Sequence, residues 1–394
     1  MTPAPPAASN PPDGALRILV VGPSYRFASG ISAYTHRLSH ALAERHEVSV
    51  LLLRRLVPRR FYPGSGRVGH DLSFPSYRRL SHFDGIDWYW GPSLVGGIRF
   101  MRRSRPQVVL LQWWTLAALH TYLALALLAR LGGTPVVIEF HEVQDPAEQA
   151  LTGARRLNRL GLSLLVRSAR AVIAHSDEDL RLVRSEVDLG PRPAAVIGHG
   201  PYDHLVGPED PGDMTAPPSS DTRLLFFGLI RPYKGVEDLV EAFGRLPEEE
   251  AAHFRLTIVG ETWEGWTRPA ESIRASHYSE RIRFVNRYVP DDEVGRYFRD
   301  ADALVLPYRR ASSSGPLNIA LAAGLPVVLY DVAALVKAVE GYEGAIIVAQ
   351  GDIDGLGRAL GQVRSLGGRR FTPRRGWAPT VGEYTSFLNE VIGR

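Results

Sequence analysis

Short runs of β-branched and aliphatic residues alternate with helix-like patterns along nearly the whole chain, in two successive series. Such alternation specifies parallel βα units. A strand buried on both faces reads as a continuous apolar run, and the chain needs a helix to return to the same end of the sheet. In the first series strands are expected at Ile18–Val21, Val48–Leu53, Val108–Leu111, Val136–Phe140, Ala171–Ala174 and Ala195–Ile197. Helices are expected at Ile31–Glu44, Leu116–Leu131, Arg155–Ser168 and Asp177–Glu186, the last with Ser176 and Asp179 spaced as a capping box. The Pro/Gly-rich stretch Pro58 to Gly97 breaks the alternation and reads as a loop insertion.

A polar, Pro-rich linker from Gly207 to Asp221 precedes the second series. Its strands are expected at Leu224–Phe227, Leu256–Val259, Ile282–Val285, Ala303–Leu306, Val327–Leu329 and Ile346–Val348. Its helices are expected near Val236–Leu246, Asp291–Ala301, Leu317–Ala323 and Ile353–Arg364. The fold class is therefore α/β, two doubly wound Rossmann-like domains facing a central cleft. Residues 1–14 form a tail, 15–205 the first domain, 206–222 the linker, 223–375 the second domain and 376–394 a terminal segment. In such sheets ligands bind beyond the C-terminal ends of the strands.

The 394 residues suffice for two cores. The absence of Cys excludes disulfides, thiolate metal sites and a Cys nucleophile. The first 13 residues are Pro/Ala-rich without an apolar core, a floppy tail and not a signal peptide. The most apolar stretch, Leu116 to Leu131, is interrupted by His120 and Arg130 and falls short of the roughly 18 apolar residues of a membrane span. A cytoplasmic protein is expected. Charge is uneven, +8 over residues 1–205 against −4 over 206–394. Arginines 54, 55, 59, 60, 67, 99, 102, 103 and 105 are interleaved with aromatics such as Trp88, Tyr89, Trp90 and Phe100. That face reads either as a solvated surface or as a peripheral contact with the anionic inner face of a membrane. No nucleic-acid-binding motif accompanies the charge, so no nucleic-acid partner is expected.

Four stretches carry candidate chemistry. In Phe226-Phe227-Gly228-Leu229-Ile230-Arg231-Pro232-Tyr233-Lys234-Gly235 an apolar strand ends in Gly, and two cations follow before a helix. A guanidinium and an ammonium beside a helix start suit a multiply charged anion such as a diphosphate. Only Lys234 and Lys337 are lysines in this Arg-rich chain. An ion pair of the two cations with Glu237 or Asp238 is the structural alternative. The second stretch, Ser312-Ser313-Ser314-Gly315-Pro316-Leu317-Asn318, again offers donors at a helix start. Gly22 to Ile31 closes in Ser29-Gly30 before the first helix, without the G-x-G-x-x-G of dinucleotide folds. Finally, Glu139-Phe140-His141-Glu142 places a His at a strand end, followed by Asp145 and Glu148. His36 and His40 lie one turn apart without a third metal ligand, and no nucleophile elbow or Walker loop is present.

Taken together, Ser29-Gly30-Ile31, His141, Val172-Ile173-Ala174-His175-Ser176, Ile197-Gly198-His199-Gly200, Phe227 to Gly235, Ala323-Gly324-Leu325-Pro326-Val327-Val328 and Trp377 resemble glycosyltransferase family 4, retaining enzymes of GT-B fold. The resemblance spans most of residues 15–394. It implies a first domain that binds a hydroxyl acceptor, a second that binds a nucleotide sugar, and a terminal helix that crosses back to the first domain. Arg231 and Lys234 would hold and stabilise the leaving diphosphate, and His141 would contact the transferred sugar or the acceptor. Ser29, Gly30, Gly228, Ser313, Ser314, Gly315, Leu317 and Asn318 would complete the donor site, with Arg287 and Tyr288 near the base. Glu142 and Asp145 are the acceptor-site candidates. No metal or other cofactor is implied beyond the nucleotide-sugar substrate.

One departure stands out. The family's paired glutamates would fall at Ile319 and about Ala311, so both carboxylates are missing. The reading is a retaining transferase from a UDP- or GDP-sugar to a hydroxyl in polysaccharide, glycolipid or natural-product synthesis, with a lipid-linked acceptor favoured by the basic first domain. The alternatives are a non-catalytic nucleotide-sugar-binding scaffold and a sugar phosphorylase or epimerase on the same fold.

Overall fold

The computed structural model describes residues 14–25, 30–55, 77, 80–141, 154–206, 221–262, 266–311, 314–366, 368–374 and 376–393. In chain order the strands are β1 (Arg17–Pro23), β2 (Glu47–Arg55), β3 (Ser81–Asp87), β4 (Val108–Trp113), β5 (Val136–Phe140), β6 (Ala171–Ala174), β7 (Ala194–Val196), β8 (Thr222–Phe227), β9 (Phe254–Val259), β10 (Ile282–Val285), β11 (Ala303–Leu306), β12 (Val327–Tyr330) and β13 (Ala345–Val348). The helices are α1 (Gly30–Leu42), α2 (Pro92–Ser104), α3 (Leu119–Leu131), α4 (Ala154–Ser168), α5 (Asp177–Glu186), α6 (Val236–Gly244), α7 (Glu248–Ala251), α8 (Arg268–Ala275), α9 (Asp291–Asp300), α10 (Gly315–Ala322), α11 (Ala333–Ala338), α12 (Ile353–Ser365) and α13 (Ala378–Ile392).

The chain divides into two compact units, one running to Gly200 and resuming at Trp377, the other spanning Pro201–Gly376. Residues 201–205, expected with the first domain, group with the second unit. In the first unit seven parallel strands run in the order β3-β2-β1-β4-β5-β6-β7; in the second, six run β10-β9-β8-β11-β12-β13. The strand order reverses between β1 and β4 and between β8 and β11. Those two switch points are where loops part and leave a crevice at the strand ends.

Central strands such as β4 and β11 are buried at every position, which is why they read as unbroken apolar runs. The expected insertion proves to contain an element on each side of Trp90: residues 81–87 form the edge strand β3, and α2 follows from Pro92. The sequence SHFDGID of β3 is mostly half-buried, with only Ile86 fully buried, so it lacks the apolar run that marks its neighbours. The short helices α7, α8 and α11 were likewise not signalled, each offering one fully buried apolar side chain or little more. The Ser176 cap forms as expected, Ser176 Oγ accepting from Asp179 N at 3.0 Å.

Helix α13 belongs to the first unit, where it buries Val381, Tyr384, Leu388 and Val391 in the core beneath α1. Trp377, just before it, lies so close to Gly200 that a Cβ there would stand 2.5 Å from the indole ring. Among the described residues no helix is long and apolar enough to cross a membrane.

Candidate active site

The Arg231/Lys234 loop leaves β8 at the switch point of the second sheet. Gly228 takes a positive φ of 114°, which reverses the chain directly after the strand. Arg231 then leads a single 3₁₀ turn, Pro232–Lys234, and Gly235 (φ 63°) starts α6. A Cβ on Gly235 would stand 2.1 Å from the carbonyl oxygen of Pro307, so no other residue allows this loop to seat on the one after β11. Two further contacts fasten the pair of loops. Arg309 N–H donates to the Tyr233 carbonyl (2.7 Å), and the Arg309 guanidinium grips Asp238 at 2.6 and 3.3 Å. Tyr330 also donates to Asp238 (3.2 Å). Asp238 is thus committed to Arg309 and Tyr330, against the alternative that it pairs with the loop cations.

Lys234 makes no ion pair among the described residues. Its Nζ lies 4.9 Å from the centroid of the Tyr308 ring. A Cβ on Gly228 would stand 3.4 Å from that Nζ and 3.2 Å from Pro316 Cγ, so the ammonium lies against the Gly228 turn, which also abuts the start of α10. Burial, then the neighbouring Arg231, push Lys234 down to about 8. A cation held partly dehydrated beside another cation is unfavourable unless an anion joins them. The site is built to receive negative charge.

The start of α10 contributes less than its sequence suggested. Ser314 caps the helix by accepting from Leu317 N–H (3.2 Å), and Asn318 N–H donates to the Ser314 carbonyl (3.1 Å). Pro316 has no N–H. Leu317 and Asn318 therefore spend their backbone donors within the cap. Ser313 lies outside the described residues, as do Ser29, Glu142 and Asp145. Gly30 is the first residue of α1. Arg287 is paired with Glu293 (2.5 Å), and Tyr288 beside it is exposed. Of the two positions where the resemblance would put glutamates, Ile319 is 4% exposed within the core, and Ala311 packs against that core. Neither position presents a polar group.

In the first unit His141 follows β5, and it is not alone. His175 follows β6 and His199 lies just past β7, so three successive strand ends each carry an imidazole. His141 Nδ1 and His175 Nε2 are 3.1 Å apart, and the His175 and His199 rings stack at 3.8 Å. Under them lie two polar residues paired across β4 and β5, Gln112 and Glu139, both fully buried. Gln112 donates to Glu139 (2.6 Å), its Oε1 meets His141 Nε2 (2.6 Å), and Tyr384 of α13 donates to Glu139 (2.5 Å). Tyr34 of α1 touches Tyr384 through their hydroxyls (2.9 Å) and packs edge-on against His141. Burial, then His175 and His199, hold His141 well below the usual histidine range. Burial and His175 do the same to His199. Both nitrogens of His141 are engaged inside the unit, so a sugar hydroxyl meeting this ring must share or replace one of those bonds. The charged side chain within the apolar run of β5 was the available signal for this cluster, since a buried parallel strand tolerates a carboxylate only with partners.

The three imidazoles offer nitrogens within 4.8 Å of one another, the raw material of a metal site. Their orientation is poor for one, because rings stacked at 3.8 Å and 27° carry their lone pairs in nearly parallel planes that do not meet at one ion.

Both units match family models. Residues 29–200 match the glycosyl transferase 4-like domain and residues 221–365 the glycosyl transferases group 1 model. The chain belongs to glycosyltransferase family 4, with the α/β GT-B fold class. A GDP-mannose:glycolipid 4-beta-D-mannosyltransferase from Xanthomonas campestris pv. campestris is 31% identical over 179 residues, 44% of this chain and 50% of that protein. The match thus spans about half the length of that relative. A 2-deoxystreptamine glucosyltransferase from Streptomyces kanamyceticus is 23% identical over 83% of this chain and 87% of its own. Among solved structures, a sucrose-phosphate synthase from Thermosynechococcus elongatus superposes with a TM-score of 0.65 at 17% identity, covering 95% of this chain and 99% of that one. Anabaena HepE in complex with UDP gives 0.62 at 15% identity, with the same coverage of both chains. At these identities the structures speak for the fold alone.

Proposed function

We propose that this family-4 member transfers a hexose from a UDP- or GDP-sugar to a hydroxyl acceptor, with retention at the anomeric carbon and without a metal. The observation that carries the reading is Lys234, an ammonium with no ion partner among the described residues, set between Arg231 and the Gly228 turn at a sheet switch point. Such a pair favours the charge that grows on a departing diphosphate, which lowers the barrier more than it tightens the ground state. Gly228, Ser314 and Gly315 would bring backbone to the phosphates. Ser29, Gly30, Ser313 and Asn318 would flank them, Arg287 and Tyr288 would lie by the base, and Glu142 and Asp145 would meet the acceptor. His141 would touch the transferred sugar or acceptor.

The acceptor is proposed to be lipid-linked. In support, the Xanthomonas relative is named for a glycolipid acceptor, and helices α3 and α4 expose Leu127, Leu131, Leu160 and Leu164, with Arg130 and Arg167 also at the surface. Peripheral contact with an anionic membrane is proposed through the basic first domain. That relative is also named for a β-linkage, so the product anomer is itself a test: an inverted product removes retention and leaves transfer standing.

The decisive experiment is nucleotide release from a panel of UDP-, GDP- and ADP-sugars, with Lys234→Ala as control. Release by the native chain and its loss in the variant support the reading. The apolar side chain at Ile319 favours one competitor, a nucleotide-sugar-binding scaffold without turnover. Nucleotide binding with no release across a broad acceptor panel selects that competitor, and no nucleotide binding at all removes both.

A further inference from the structure

The buried cluster of the first unit contains a row of hydrogen bonds whose protons do not add up with neutral rings. At one end His175 Nδ1 meets the Ile197 carbonyl (2.9 Å), which only accepts. At the other, Gln112 spends its amide nitrogen on the Glu139 carboxylate (2.6 Å) and so presents its oxygen, again an acceptor, to His141 Nε2 (2.6 Å). Between these ends His141 Nδ1 faces His175 Nε2 at 3.1 Å. Three hydrogen bonds between two terminal acceptors need three N–H groups, and two neutral imidazoles supply two.

We propose that the first unit keeps the third proton as a His175 imidazolium, balanced by the buried Glu139 carboxylate, and thereby holds His141 as the neutral Nε2–H tautomer. The imidazolium then donates from both nitrogens, to Ile197 and to His141. His175 Nε2 lies 3.4 Å from Glu139 Oε1, so the added charge sits beside its counter-ion. Of the two rings in the row, His175 lies nearer the carboxylate than His141, 3.4 against 3.7 Å, which makes it the ring that carries the charge. The other titratable groups facing the cluster are His199 past β7, Tyr34 from α1, Tyr384 from α13 and Asp179 from α5. Glu139, Gln112 and His175 are positioning residues: they act through His141, fixing its ring and its tautomer. Their service to catalysis rests on the proposed role of His141, but the location of the proton does not.

The test is long-range proton–nitrogen NMR of the full chain labelled with ¹⁵N-histidine, from pH 6 to pH 9, with elemental analysis of the same sample. The expected spectrum at pH 7 contains one imidazole protonated on both nitrogens, absent in His175→Gln, and a second ring in the Nε2–H form, absent in His141→Gln. Glu139→Gln should discharge His175 at pH 7, whereas Tyr384→Phe should leave it charged. Two neutral rings in the native chain at pH 7 would leave the His141–His175 contact without its proton and overturn the proposal. A charged His175 that persists in a folded Glu139→Gln protein overturns it too, as does one equivalent of bound metal. Should Glu139→Gln fail to fold, the native and Tyr384→Phe spectra decide. These readouts need no turnover, so they stand apart from the fate of the transferase reading.

Discussion

The two sheets use the same topological feature in opposite ways. At the strand ends of the second unit, Lys234 is partly dehydrated, set beside Arg231 and given no anion from the described chain, while the loops around it are pinned by Arg309, Asp238 and Gly235. At the strand ends of the first unit, Gln112, Glu139, His141, His175 and Tyr384 already have internal partners, and only His199 Nδ1 in this cluster is buried without one among the described residues. An unmatched charge on a rigid frame is preorganised for a ligand; a matched one is preorganised for itself. The contrast separates a candidate donor site from a candidate scaffold, and it can be broken at either end.

The largest effect is expected in the first unit. Glu139→Ala leaves Gln112, Tyr384 and the histidine charge without their acceptor, and removing one member of a buried pair typically costs about 3–5 kcal/mol. Urea unfolding should show that loss, and a loss below about 1 kcal/mol would mean the cluster is not internally matched. In the second unit the sign reverses. Lys234 is held lower in the folded chain than in the unfolded one, so the unfolded state binds more protons between pH 8 and 10.5. The penalty is therefore fully present below pH 8 and fades as pH rises through that window. Lys234→Met should stabilise the ligand-free protein at pH 7 by roughly 2 kcal/mol, read as a higher melting temperature. Destabilisation would show that the ammonium has an internal partner.

The same shift predicts how binding responds to pH. Nucleoside diphosphate affinity should be flat just below pH 8 and fall by up to about tenfold per unit above it, because the bound anion needs the ammonium. Affinity measured by calorimetry from pH 7 to pH 9.5 checks this, and a flat profile would remove Lys234 from the contact. The smallest effect is at Ser314. Replacing the cap with Ala should cost about 1 kcal/mol of stability, seen as a shift in the urea midpoint.

Much of this arrangement was legible in the chain itself. Buried parallel strands such as Val136–Phe140 announce themselves as apolar runs, and the Gly228-to-Gly235 stretch shows its cations beside a helix start. Elements without an apolar run were not legible: β3 is an edge strand that buries only Ile86, and α8 buries only Pro269 and Ile273. Nor were pairings between distant segments. That Asp238 answers to Arg309 and not to the nearby cations, and that Gly235 fits only because Pro307 lies against it, depends on how β8 and β11 meet. In the first unit Glu139 is a charge within an apolar strand, yet nothing local indicated that Gln112, His175 and Tyr384 would gather around it.

The central claim is that Lys234 awaits a diphosphate, and calorimetric titration of UDP and GDP into native and Lys234→Met protein at pH 7 tests it most directly. Charge-assisted hydrogen bonds contribute about 1.5–3 kcal/mol each, so the variant should bind at least one of the nucleotides about 10- to 150-fold more weakly than the native chain. Equal affinity in the two proteins, or no binding by either, would contradict the account.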